Sequence, residues 1–250
     1  MSGFPVFVGC AGWSIPRQHA GYFPSEGSHL ERYARFLPAV EINSSFYRPH
    51  KPATYARWAA SVPDGFRFAV KVPKAITHES RLTGCADALD RFLGEAGELG
   101  DRLGPLLVQL PPSFPFQPKR IEAFLGLLRD RFAGDVVWEP RHPSWFLDPG
   151  PDEMLAEFEI ARVAADPGGE PPGGWSGLIY HRLHGSPEIY HSDYAPDRLP
   201  AITRMVASDA VRAPVWCIFD NTALGAATHN ACAVWERLYL ESGKELRLKG

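Results

Sequence analysis

The chain has 250 residues and a formal net charge of −3 at pH 7, a balance that disfavours broad adhesion to nucleic acid or an anionic membrane. Hydrophobic residues make up 45% and charged residues 22%, the ordinary globular mixture, enough to bury a sizeable core. Cys10, Cys85, Cys217 and Cys232 form neither a C-x-x-C pair nor a zinc spacing, so no thiolate metal site is expected.

In chain order, short apolar runs alternate with amphipathic segments. The first run, Val6–Cys10, reads as a strand. Ser28 followed by Glu31 is a capping box, and Leu30, Tyr33, Ala34 and Leu37 then line one helix face. A strand over Val40–Ser44 follows, and Pro52 suits the first turn of a helix that turns Tyr55, Trp58 and Ala59 inward. After a strand at Arg67–Val72, the residues Leu89, Phe92, Leu93, Ala96, Leu99 and Leu103 predict one long helix stopping at Gly104. Leu106–Leu110 reads as a strand. Pro118 opens a helix with Ile121, Phe124, Leu125, Leu128 and Phe132 at helical spacing. Strands are predicted at Val136–Glu139, Ala161–Ala165, Leu178–Leu183 and Val215–Phe219. Short helices are marked by Leu155 and Phe158, then by Ala201, Met205 and Val206. The last helix carries Ala227, Ala231, Val234, Trp235 and Leu238.

Eight strands alternating with helices over this length predict a single-domain α/β protein, a (β/α)8 TIM-like barrel. The connection between strands six and seven is irregular, because PGGEPPGG is too rich in proline and glycine for a helix. The chain opens without a charged stretch leading into an apolar one, and no apolar run reaches membrane-spanning length. A cytoplasmic protein with no membrane partner is the expectation.

The residues just past each run are more telling. GCAGW, EINSSFYR, KVPKAITH, QLPPSF, EPRHPSW, DP, HRLHGS and DNTALG collect polar and aromatic residues at one end of nearly every strand. In a barrel, that end builds the active site. EINSSFYR, FRFAVKVPKAITHE, LGPLLVQLPPSF, WEPRHPSWF, YHRLHG and FDNTALGAATHNA together resemble the successive signatures of the domain-of-unknown-function 72, or YecE-like, family. The resemblance spans nearly the whole chain and implies a TIM barrel with a pocket, but it supplies no reaction. The family pattern at strand eight reads Phe-Asn-Asn, whereas this chain has Phe219-Asp220-Asn221. A mechanism that needs a carboxylate at position 220 would therefore not extend to the family at large.

The candidate chemistry is acid–base. Glu41 and Glu139, at the ends of strands two and five, are general acid/base candidates, with ion pairing to Lys71 or Arg141 as the bland alternative. Lys71, His142 and His184 are expected to transfer protons or stabilise charge, and Arg141 and Arg182 to clamp an anion. Trp13, Asn43, Tyr47, His78, Gln109, Trp145 and Asn221 complete the expected substrate-binding set. Thr222 to Thr228, leading into the last helix, are a second candidate for phosphate binding. No cofactor is evident. A divalent Mn²⁺ or Mg²⁺ held by Glu139, Asp166, His184 and Asp220 is the alternative. The expected partner is a small anionic ligand, sugar- or phosphate-like, handled by a hydrolase or an isomerase/epimerase. A nucleic-acid-processing barrel and a non-catalytic ligand-binding protein are the other readings, with nucleic acid the less favoured partner.

Overall fold

The computed structural model describes residues 3–241. Its elements, in order, are β1 (Val6–Cys10), α1 (His29–Ala34), β2 (Ala39–Ile42), α2 (Pro52–Ala60), β3 (Arg67–Lys71), α3 (Ala86–Gly97), β4 (Leu103–Gln109), α4 (Pro118–Arg129), β5 (Val136–Glu139), α5 (Gly150–Glu157), β6 (Ala161–Arg162), β7 (Ala164–Asp166), β8 (Gly173–Gly174), β9 (Ile179–Leu183), α6 (Leu199–Asp209), β10 (Val215–Phe219) and α7 (Ala226–Glu241). The fold is mixed α/β. The strands form a four-stranded sheet in the order β1-β10-β9-β7 and a six-stranded sheet in the order β2-β3-β4-β5-β6-β8. Pairing is parallel throughout except between β6 and the two-residue β8.

Local chemistry explains the helix starts. The Ser28 hydroxyl accepts from the Glu31 amide, and the Glu31 carboxylate accepts from the Ser28 amide at 2.7 Å, closing the capping box of α1. Pro52 and Pro118 stand in the first turns of α2 and α4, where no amide proton is needed. Apolar stripes such as Leu89, Phe92 and Ala96 on α3, or Ile121, Phe124, Leu125 and Leu128 on α4, turn inward.

Several strand bounds differ from the sequence-based expectation: Val40–Ser44 is Ala39–Ile42, Arg67–Val72 is Arg67–Lys71, Leu106–Leu110 is Leu103–Gln109 and Leu178–Leu183 is Ile179–Leu183, and two further differences have a clear cause. The helix after β3 stops at Gly97, not Gly104, and Leu103 and Gly104 already belong to β4. The residues between include Gly100 at φ +52°, a conformation that breaks helical continuity. Gly104 lies where a Cβ would come 2.6 Å from the Trp216 ring, so it is a close-approach glycine of a strand. The predicted sixth strand is interrupted at Val163, whose amide donates to the Trp138 carbonyl. The chain thereby passes from the six-stranded sheet at Arg162 to the four-stranded sheet at Ala164. At the other flank, an Ala11–Glu41 bridge links the end of β1 to β2.

Alternate strand residues sort into two apolar clusters, the signature of sheets covered on both faces. Val40, Ile42, Phe68, Val70, Leu106, Val108, Val136, Trp138, Val215 and Cys217 pack with the helices. Ala39, Ala69, Leu107, Val137, Tyr180, Trp216 and Ile218 form the second, smaller cluster. Each large side chain so buried contributes about 1.5–3 kcal/mol relative to exposure. All four cysteines are free and buried, and burial pushes the Cys10 thiol up to about 12, so it acts as a small core residue.

Candidate functional site

The strand register carries the smaller cluster's face into a charged layer. Lys71, Gln109 and Glu139 are the last residues of β3, β4 and β5, and Gln109 pairs with Glu139 across the sheet. Glu41 follows Ala39 by two on β2. Arg182 follows Tyr180 by two on β9, and Asp220 follows Ile218 by two past β10, so each charge shares a face with an apolar neighbour one step down.

Arg182 sits at the centre, fully buried. It donates to both oxygens of Glu41 at 2.8 and 3.1 Å, to Glu139 Oε2 at 2.6 Å and to Asp220 Oδ2 at 2.8 Å. Tyr180 Oη donates to Glu41 Oε2 at 2.9 Å. Arg141 forks onto Glu139 Oε1 through Nε at 2.9 Å and a terminal nitrogen at 2.6 Å. A buried guanidinium is tolerated only with such complete pairing. Burial opposes the charge of Arg182, but Glu139, Glu41 and Asp220 outweigh it and hold the group well above its ordinary value. Burial likewise opposes the Glu139 carboxylate, yet Arg182 and Arg141 keep it well below the usual range. Asp220 goes the other way. Burial, reinforced by the Glu41 charge, pushes its carboxyl up to about 6 against the pull of Arg182.

The same network fixes His184. Its Nε2 lies 3.0 Å from a donor nitrogen of Arg141 and 3.0 Å from one of Arg182, while Nδ1 lies 3.2 Å from the Asp166 carbonyl. Guanidinium nitrogens only donate, so Nε2 must be the lone-pair nitrogen and Nδ1 carries the proton. Burial and the Arg182 charge push this imidazole down to about 3, consistent with a permanently neutral ring.

Lys71 differs from its neighbours. It retains 6% of its surface, its Nζ lies 4.3 Å over the Phe46 ring, and among the described residues that Nζ has no hydrogen-bond or ion-pair partner. Burial, aided by Arg182, lowers its amine to about 8 against the carboxylates of Glu41, Glu139 and Asp220. The His78 ring packs edge-on against Phe46 at 4.9 Å, and Gln109, half-buried, donates to the Leu110 carbonyl.

The structure thus gathers Glu41, Lys71, Glu139, Arg141, Arg182, His184 and Asp220, with His78 at their edge, and leaves other expected residues outside. Glu41 and Glu139 do not face each other as an open acid/base pair, since Arg182 lies between them and takes oxygens from both. Arg182 itself is sealed below the surface, which leaves Arg141 as the accessible clamp. The lone pair of His184 is occupied by two guanidiniums. His142 Nδ1 accepts from the Ser144 amide and caps a turn. Trp145 is a core residue: its Nε1 donates to the Phe114 carbonyl and its ring packs on Trp138 and Phe116. Trp13 packs on Trp58 and Phe68. Asn221 is buried and ties the Ser192 carbonyl to Asn230, while Tyr47 is 67% exposed at the end of its turn. Asn43 stands at the head of that turn, with a buried Oδ1 that accepts from no group among the described residues.

Of the four residues of the metal alternative, Glu139, His184 and Asp220 come together, with His184 Nε2 3.7 Å from each carboxylate, while Asp166 reaches His184 only through its backbone carbonyl. Asp166 pairs with Arg198 at 3.3 Å, and Asp220 and Glu139 are spent on Arg182. The cation in this carboxylate cluster is a guanidinium, and among the described residues no three His, Cys, Asp or Glu side chains are grouped to hold a metal. Sequence reasoning missed Tyr180 and Tyr190. Tyr180 was legible, since it precedes Arg182 and His184 by steps of two on one strand. Tyr190, whose ring lies edge-on to His184 at 5.6 Å and whose hydroxyl lies 3.4 Å from Arg141, comes from a loop that carries no periodic signal.

A parallel α/β fold with a charged layer at the strand ends defines a class of architecture, not an activity. Residues 7–248 match the family "Protein of unknown function DUF72", and the chain belongs to that family. It is 34% identical over 142 residues to the UPF0759 protein YecE of Escherichia coli (strain K12), covering 56% of this chain and 50% of that protein. It is 25% identical over 177 residues to the UPF0759 protein YunF of Bacillus subtilis (strain 168), covering 65% of this chain and 61% of that one. The matched region thus spans roughly half the length of the curated relatives. Among solved structures, a DUF72 family protein from Thermotoga maritima MSB8 superposes with a TM-score of 0.76 at 24% identity, covering 94% of this chain and 99% of that one. One from Enterococcus faecalis V583 gives a TM-score of 0.78 at 23% identity, covering 93% and 95%. These likenesses establish the shared fold. No helix of the described residues is long and apolar enough to cross a membrane.

Proposed function

We propose that this chain is an enzyme acting on a small polar anion at the C-terminal mouth of a (β/α)8 ring, with Lys71 as the group that exchanges protons. Support for the ring comes from the two places where the sheets meet, the Val163 step and the Ala11–Glu41 bridge. Support for chemistry comes from one observation above all. Among the described residues Lys71 is a buried amine with no carboxylate bound to it, beside a cluster in which the other cations are paired. An amine whose hydrogens have no acceptor in a desolvated site can donate them to a bound anion, and an amine lowered to about 8 can exchange its proton near neutral pH. Arg141, whose side chain is 24% exposed, supplies the outer contact for a phosphate or carboxylate. Glu41, Glu139 and Asp220 serve to hold Arg182 and set the local potential.

The test is thermal stabilisation by inorganic phosphate, lactate and sugar phosphates, compared among wild type, Lys71→Met and Arg141→Met, together with product detection by NMR. Stabilisation that is lost in both variants supports the reading. Equal stabilisation in all three proteins overturns it, and a ligand that binds at this site yet is always returned unchanged removes the enzymatic half.

A further inference from the structure

Resting on that reading of the site, we propose that Lys71 is a covalent nucleophile, and that its Nζ condenses with the carbonyl of a small oxo acid, an aldehyde or ketone bearing a carboxylate or phosphate. Three features of the geometry carry this. First, the Nζ lone pair has no competitor, since no carboxylate or carbonyl of the described residues takes a hydrogen bond from it. Second, the amine is held on a rigid element. Lys71 is the last residue of β3, its register is fixed against Leu107, and Ser45 Oγ donates to its backbone carbonyl at 2.6 Å. The face of Phe46 at 4.3 Å forms an apolar wall along which a planar carbonyl can lie. Third, the charges are divided as an oxo-acid adduct requires. Glu41, Glu139 and Asp220 oppose the Arg182 charge at the amine, which favours an iminium cation there, while Arg141 stands at the exposed side to meet the anionic end. A proton-transfer lysine needs only the first of these features.

The step balances without any redox partner. The Nζ electron pair forms a bond to the carbonyl carbon, and the carbonyl π pair moves to oxygen, which takes up a proton. The nitrogen loses one proton, and the resulting carbinolamine expels its oxygen as water after a second protonation. An iminium remains, with the composition of the ammonium form plus the carbonyl compound less one water, so one proton is taken up from solvent per neutral amine. The lowered amine supports the step: at pH 7.4 about a fifth of Lys71 is neutral, against roughly a thousandth of an ordinary lysine.

The experiment uses the full chain with pyruvate, glyoxylate or propanal and sodium cyanoborohydride, which delivers hydride to the imine carbon and fixes the adduct. Peptide mass spectrometry then locates the label. The expected result is labelling of Lys71 by pyruvate and glyoxylate about tenfold or more above that of the exposed Lys74, with a pH midpoint near 8. In Arg141→Met, labelling by the two oxo acids falls several-fold while labelling by uncharged propanal persists. Lys71 labelled no more than Lys74, or a midpoint near that of free lysine, overturns the proposal. Because the main measurement is made on the wild-type chain, it does not depend on whether a Lys71 variant folds. Failure of this proposal and failure of the anion reading are separable. Phosphate and lactate carry no reactive carbonyl, so stabilisation by them with Lys71 unlabelled sinks the nucleophile alone, whereas a labelled Lys71 with neither anion stabilising sinks the anion site alone.

Discussion

The two faces of the same strands make an instructive pair. On the helix side, Val70, Val108, Trp138 and Cys217 belong to one large apolar cluster, interrupted beside Cys217 by His181, which pairs with Asp209 of α6 at 2.8 Å. On the other side, Ala69, Leu107, Val137 and Tyr180 give way, one alternation further on, to Lys71, Gln109, Glu139 and Arg182. The first face derives its stability from area removed from water, which pH and salt barely alter. The second derives it from charges that must neutralise one another, so its stability is conditional. A strand can thus support the fold with one set of side chains and carry chemistry with the alternate set.

The strongest way to break this contrast is Arg182→Met, which strands three buried carboxylates. We expect a loss of about 5 kcal/mol or outright unfolding, read from urea denaturation, and a larger loss at pH 8 than at pH 5, where Asp220 takes up a proton. A loss below about 1 kcal/mol would mean the cluster is not held by its guanidinium. Phe124→Ala, on the helix side, should cost about 3–4 kcal/mol by leaving a cavity against Trp138, and that cost should be the same at both pH values. His184→Gln sharpens the contrast through its sign. The folded imidazole is held down to about 3, so below 6.5 the unfolded chain binds a proton that the folded chain refuses, and wild-type stability falls as pH falls. Between pH 7.5 and 5 the wild type should lose about 2 kcal/mol relative to the Gln variant, whose amide oxygen keeps an acceptor for both guanidiniums. Ser28→Ala is the smallest test: removing the α1 cap should cost about 1 kcal/mol with no effect on the charged layer.

Most of the architecture was legible in the chain because apolar runs and their punctuation are local properties. Val6–Cys10, Val136–Glu139 and Val215–Phe219 occur with the predicted bounds. The break at Val163 was not legible, because one residue that bonds backward to Trp138 leaves no trace in hydropathy. The location of the charged cluster at the strand ends was legible for the same local reason. The depth of each group was not. Arg182 and His184, two apart on one face, are both buried, so an expected clamp is a sealed counterion and an expected proton carrier is a ring whose lone pair is taken. Trp145 and Asn221 failed in the same way: both follow strands, and both point into packing instead of the mouth. Lys71 was picked for its position, but what distinguishes it is that, among the described residues, its Nζ has no hydrogen-bond or ion-pair partner, which depends on every neighbouring strand at once.

Arg182 lies on the four-stranded sheet and Asp220 directly follows its strand β10, while Glu41 and Glu139 belong to the six-stranded sheet. A single side chain therefore rivets both halves of the molecule. Prying them apart would leave an ion without its counterion in a nonaqueous setting, so partial opening is penalised as heavily as complete opening. The amides of β2, β5 and β9 should accordingly exchange with solvent at one common rate, in a single all-or-none event.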